Sequence, residues 1–142
     1  MLIKDIRKLP KDEDGWYYDA ESGFRCWIDD WARVGNGVHV GDWARVGNGA
    51  HVGDWARVGD WARVGDNETW DTSPLYIIGS CHLVNACGQE HDSLTIGCEI
   101  HTIKYWLANY RDIGEANDYT PEQIDEYARY IRLAAEMYGV KG

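Results

Sequence analysis

No stretch of this 142-residue chain is apolar over anything near the length a membrane span requires, and MLIKDIRKLPKDEDG at its start has no apolar core of the secretory-leader kind. The chain is therefore expected to be soluble and cytoplasmic, with no membrane partner. Cysteine is scarce, and Cys26, Cys81, Cys87 and Cys98 lack the spacing of a disulfide framework, so they are expected to stay thiols. Positive charge is also short: 14 Lys and Arg stand against 24 Asp and Glu, for a formal net charge of −10. Without basic surface to displace counterions, a grip on a nucleic-acid polymer is disfavoured, although a small discrete anion can still be held locally. What the chain does have is 44% apolar residues, enough for the core of one domain.

It also has a repeat. Val34, Val40, Val46, Val52, Val58 and Val64 recur every sixth residue, each followed by Gly. Ile28 supplies an earlier unit with Asp29 in the Gly position, and weaker units can be drawn at Ser22 and Trp70. Units of this size cannot bury an apolar face alone, so self-similarity this strict denotes a stacked architecture. The period is similar to the hexapeptide repeat of left-handed parallel β-helices, a likeness that implies three units per triangular coil of eighteen residues. In that arrangement Val points inward and Val38, Ala44, Ala50, Ala56 and Ala62 share the narrow interior. Gly with Asp or Asn turns each corner, where φ > 0 is available. Successive coils pair at about 4.8 Å.

Val, Ala and the Gly-Asp/Asn corner are thus structural demands, whereas Trp and Arg are expected on flat outer faces that the winding does not constrain. Counting by eighteen, one face stacks Trp43 over Trp61 and Arg45 over Arg63. A second carries Trp31 and Arg33, then Gly49 and His51, and a third carries Gly37 and His39, then Trp55 and Arg57. Exposed indoles beside guanidinium groups suit a subunit interface. They equally suit a platform on which a base stacks while Arg pairs with phosphate.

Both ends of such a coil expose strand edges that need covering. The organisation read from the chain is an N-terminal cap over 1–27, the repeat over 28–75, a hairpin or irregular final coil over 76–101, and a two-helix cap over 102–142. In the third segment two strands are expected around a polar turn containing Gly88. Ile103, Trp106, Leu107 and Tyr110 share a helical face, with Thr102 as N-cap and Gly114 as the stop. Thr120, Pro121 and Gln123 open a second helix as a capping box, and its apolar spacing runs from Ile124 to Tyr138 before Gly139. These features together predict a β-solenoid, specifically a short left-handed parallel β-helix with a C-terminal α-helical cap.

The Val-Gly-Asp/Asn units from 34 to 66, Ile78-Gly79-Ser80, Leu94, Gly97-Cys98 and the helix opened by Thr102 resemble a group of phage and prophage hexapeptide-repeat, transferase-like proteins. The resemblance covers about residues 28 to 135, and this chain departs from it by placing Trp within the repeat. It implies the fold above and a phage setting, where small oligomeric proteins inhibit host defence, some by sequestering nucleotide signals between subunits. It brings no catalytic residue with it.

Three further chemistries can be weighed from the residues. Hexapeptide proteins are known as acyltransferases using acetyl-CoA with a His as base, and His39, His51, His82, His91 and His101 are available. His39 and His51 occupy positions that Arg fills elsewhere, which marks them as interchangeable surface groups. A zinc site from Cys81, His82, Cys87, His91, Cys98 and His101 fails on strand alternation, which sends Cys81 and His82 to opposite faces. An acidic rod mimicking DNA is permitted by the charge but opposed by the Arg ladders. His101 and Thr102 stand at a helix entrance, where free N–H groups attract phosphate, with Ser80 and Asn85 as neighbours; N-capping by Thr102 is the simpler role.

The expectation carried forward is a non-catalytic homotrimer, without cofactor or metal, that binds a small anionic ligand of the nucleotide class and so sequesters it as a host-defence inhibitor in the host cytoplasm. Trp43 and Trp61 would stack on it, Arg45 and Arg63 would supply charge, and His101 and Thr102 would contact phosphate. Acyl transfer from acetyl-CoA and mimicry of DNA, or blockade of a host effector, are the alternatives.

Overall fold

The computed structural model describes residues 1–141, which form two compact units, one over Met1–Pro74 and one from Leu75 onward. In the first, a one-turn helix α1 (Ile3–Ile6) and the strands β1 (Tyr17–Tyr18) and β2 (Arg25–Ile28) precede the repeat. Each repeat unit then gives one two-residue strand: β3 (Arg33–Val34), β4 (His39–Val40), β5 (Arg45–Val46), β6 (His51–Val52), β7 (Arg57–Val58), β8 (Arg63–Val64) and β9 (Thr69–Trp70). The pairing is parallel and skips two strands each time, giving β2-β5-β8, β3-β6-β9 and β4-β7. Arg45 faces Arg63, Arg33 faces His51 and His39 faces Arg57, so the chain returns to the same sheet every eighteen residues. This is a solenoid-like stack of short parallel strands.

Two-residue strands suffice because only one side chain per strand must turn inward. In β5 to β8 the Arg or His is exposed and the Val buried. Ala44, Ala50, Ala56 and Ala62, with Val38, fill the interior between the valines. The winding ends on Trp70, which pairs with Val52 and buries its indole at 1% exposure. Its Nε1 donates to Glu68 Oε1 at 2.8 Å, while Glu68 Oε2 accepts from the Gly65 amide at 2.8 Å. A polar pair thus closes the interior without an orphaned charge. At the other end, the β4 edge is covered by an antiparallel bridge of Leu2 to His39, with Ile3 N donating to Val38 O and Val40 N to Met1 O, both at 2.9 Å. Ile3 and Ile6 are buried there.

The corners differ from expectation. Left-handed φ falls not on the Gly before Asp or Asn but on the residue after it: Gly37 (70°), Trp43 (63°), Gly49 (70°), Trp55 (66°), Trp61 (63°) and Asn67 (60°). These tryptophans therefore sit at corners and not on the flat faces. The preceding Gly serves close approach instead, since a Cβ on Gly41 would lie 2.4 Å from the Asp60 amide nitrogen. Corner Asp has its own task, reaching back one coil to accept a backbone N–H. Asp54 Oδ1 accepts from Asn36 N at 2.9 Å, Asp60 from Asp42 N at 2.8 Å, and Asp66 from Asn48 N at 2.9 Å. In return Trp55 N donates to Asn36 O at 2.8 Å and Trp61 N to Asp42 O at 2.9 Å. Each corner is clamped to its predecessor twice, satisfying backbone groups that the turn takes out of the ladder.

In the second unit β10 (Tyr76–Ile78), β11 (Leu83–Cys87), β12 (Ser93–Ile96) and β13 (Glu99–Thr102) form an antiparallel sheet in sequence order. Where the sequence suggests two strands around Gly88, tight turns at 79–82 and 97–98 divide the segment into four. Helices α2 (Ile103–Ala116) and α3 (Pro121–Met137) follow. Thr102 caps α2, its hydroxyl accepting from Tyr105 N at 3.1 Å, and the Thr120–Gln123 capping box opens α3. Gly114 does not stop α2. It is buried two residues inside the end, where a Cβ would meet Ile124 Cγ1 at 2.8 Å, so it lets the two helices approach. Gly139, at φ 67°, closes α3, with Val140 N returning to Ala135 O at 2.8 Å.

Candidate functional site

The corner conformation and the eighteen-residue register bring four of the six expected site residues together. Trp43 and Trp61 lie one coil apart, and their indoles stack with centroids 5.2 Å apart and planes 11° from parallel. Arg45 and Arg63 are neighbours in the adjacent β5–β8 pair. With Trp27, Asp29, Asn48 and Asp66 they line a groove of ≈ 330 Å³. His101 and Thr102 belong to the second unit and are not part of this constellation.

Two aromatic neighbours complete the cluster. The Trp16 ring meets Trp43 edge-on at 5.6 Å and Trp27 at 5.8 Å. Arg45 lies over both Trp16 (5.3 Å) and Trp27 (5.5 Å), so its guanidinium is already engaged in cation–π contact. Arg25 lies over Trp43 at 5.7 Å and also pairs with Asp12. Counting eighteen back from Arg45 reaches Trp27, and the same step from Trp43 reaches Arg25, so both partners were within reach of the repeat. Trp16, outside the repeat, carried no such signal. The stack is graded in exposure, from Trp43 at 37% to Trp61 at 62%. Trp61 and Arg63 are therefore the members best placed to meet another molecule.

At the α2 entrance the Thr102 hydroxyl is spent on the cap. His101 stacks on Tyr105 at 4.5 Å, and its Nε2 lies 3.2 Å from Glu99 Oε1. A carboxylate at this distance opposes a phosphate at the same place. Ser80 is bonded to Glu126 on α3, whose carboxyl is held below its ordinary range by the Ser80 and Tyr130 hydroxyls. His39 and His51 occupy the same ladder places as Arg57 and Arg33, which makes them members of a row.

Cys26, Cys81, Cys87 and Cys98 are free thiols, and burial pushes Cys26 up to about 12. Among the described residues no three His, Cys, Asp or Glu side chains converge as a metal site would require. No helix among them is long and apolar enough to cross a membrane. No protein family, curated protein or solved structure matches the chain.

Proposed function

We propose that the first unit winds left-handed, associates as a homotrimer and holds a small anionic ligand of the nucleotide class, without transforming it, against Trp61 and Arg63. The observation that carries this reading is the presence of Trp at left-handed corners. Gly37, Gly49 and Asn67 fill the same position with residues that tolerate that conformation. A side chain such as Trp is disfavoured there by about 1–2 kcal/mol. The Trp43–Trp61 stack returns about 0.5–1.5 kcal/mol beyond the area it buries, and the more exposed Trp61 recovers less by burial than Trp43 does. Gly and Asn fill this position in other units, so the winding can turn without an indole there, and a strained residue that the turn can do without points to function.

Association is supported by where the exposed indoles stand. Trp31, Trp55 and Trp61 are 79%, 77% and 62% exposed and belong to three different corner rows. A single small ligand touches one row, while copies packed side by side cover several. The left-handed sense comes from the likeness of the six-residue unit to hexapeptide coils. In the phage setting implied by the wider resemblance, such binding sequesters a nucleotide signal and inhibits host defence.

Native mass spectrometry of the protein from its native source tests both parts, with a trimer carrying a retained nucleotide-sized mass as the expected spectrum. Trp61→Asn with Arg63→Gln, which copies the Asn found at the corner of residue 67, should release that mass and leave the coil folded. A bare monomer that ignores added nucleotides, or a double variant that keeps its ligand, refutes the reading.

A further inference from the structure

The second unit encloses a cavity of ≈ 50 Å³ between the β12–β13 turn and the two helices. We propose that it binds a small organic cation, a short alkylammonium group, with the alkyl end inside and the nitrogen at Glu99. The volume admits three or four heavy atoms, since about 10–15 Å³ holds one water-sized group. The interior is apolar and aromatic, with Trp106, Tyr119 and Tyr127 among its walls. These walls are fixed. The Trp106 Nε1 donates to Leu94 O at 2.9 Å, and the Tyr127 hydroxyl accepts from Cys81 N and His82 N while donating to His82 O at 2.7 Å.

The mouth decides the charge of the occupant. Among the described residues lining the cavity, Glu99 is the one carboxylate, and no Lys or Arg accompanies it. Asn117 Nδ2 holds Glu99 Oε2 at 2.9 Å, and Oε1 faces His101, so the carboxylate is oriented and not buried. Beside it His82 Nδ1 and the Tyr119 hydroxyl share a hydrogen bond of 2.5 Å. Burial first, and then the neighbouring acidic groups, push the Tyr119 phenol above its ordinary range. An anion would meet repulsion here, whereas an ammonium meets a carboxylate and aromatic rings.

The test is a titration of the whole protein with n-propylammonium, n-propanol and propionate, followed by nuclear magnetic resonance at the Trp106 indole N–H and the Gly97 amide. Propylammonium should give saturable shifts in the millimolar range, as the small number of atoms allows. Propanol should bind about fivefold more weakly, the worth of one partly exposed charge pair, and propionate should not saturate. Glu99→Gln should bring propylammonium down to the level of propanol. Ile113→Phe, which fills the cavity, should abolish both, the rest of its spectrum reporting that the fold is kept. Equal affinity for the alcohol and the ammonium, a Glu99→Gln protein that binds as before, or no shift at Trp106 with any probe overturns the proposal.

Discussion

Replacing Gly41 by Ala tests the corner in its most constrained place. The added Cβ would stand 2.4 Å from both N and Oδ1 of Asp60 and 2.5 Å from the Gly59 carbonyl carbon. Two of these three atoms are backbone and cannot swing aside, so the coils must part by about 1 Å to restore ordinary contact. Three hydrogen bonds cross that gap: Gly41 N to Val58 O at 2.7 Å, Asp42 N to Asp60 Oδ1 at 2.8 Å and Trp61 N to Asp42 O at 2.9 Å. At about 1 kcal/mol net for each bond they total about 3 kcal/mol. Overpacking adds about 1–3 kcal/mol, and the stiffer unfolded chain of an Ala variant returns up to about 1 kcal/mol. The expected loss is therefore about 3–6 kcal/mol, on the order of 15 °C or more in Tm for a unit of this size. Seven of the eight tryptophans, all but Trp106, lie in this unit, so urea unfolding followed by tryptophan fluorescence reports on it selectively. Asp42→Asn is the control, expected within about 0.5 kcal/mol because an Asn Oδ1 can still accept from the Arg25 amide that Asp42 holds at 3.0 Å. A Gly41→Ala protein within about 1 kcal/mol of the parent would refute the close approach and the double clamp with it.

Trp55→Gly should leave stability within about 1 kcal/mol of the parent, because relief at the left-handed corner offsets removal of the indole that packs over Gly37; equilibrium unfolding checks it. Thr120→Ala should cost about 1 kcal/mol by breaking the capping box, read as faster amide exchange in the first turn of α3. Gly114→Ala should destabilise the helix pair despite the better helix propensity of Ala, and it should cost less in an Ile124→Ala background, which removes the Cγ1 that the new Cβ meets, both read from thermal unfolding. Cys26 should resist a thiol reagent in the folded protein while Cys81 and Cys98, which are exposed, react. Above the ordinary thiol value of 9.0 the unfolded chain releases the Cys26 proton and the folded chain, held up to about 12, keeps it. Stability should therefore fall as pH rises from 9, by about 1 kcal/mol between pH 9 and pH 10, and Cys26→Ala should lack that component in urea titrations.

The solenoid-like stack is legible because the repeat writes one inward residue per strand, and eighteen-residue counting places Arg45 on Arg63 and Trp43 on Trp61. The corner reads one step out of phase because Gly has two distinct uses. It can adopt φ > 0, as at Gly37, or it can merely lack a Cβ, as at Gly41. Trp43, Trp55 and Trp61 at the first kind of position conceal it, since propensity places Gly or Asn there. The same ambiguity turns Gly114 from a helix stop into a packing notch. The caps of α2 and α3 follow from local chemistry alone, since Thr102 and Thr120 bond within three residues of themselves. The four-stranded sheet does not, because two of its turns, at 79–82 and 97–98, are marked by a single Gly each, which inside an apolar run reads equally as a bulge. Of the candidate site, the Trp–Arg cluster can be assembled by period, while the Glu99 cavity depends on tertiary packing that no local pattern in α2 or β13 announces.

Since every clamp reaches one coil back and accepts from one coil ahead, an interior turn holds nothing that records its own rank. Duplicating eighteen residues would thread in a turn already carrying its own fastenings, leaving the Leu2–His39 seal and the Trp70 plug as they are. An insertion of six or twelve would instead rotate all later side chains onto the wrong wall. The length of the stack is thus adjustable by whole turns.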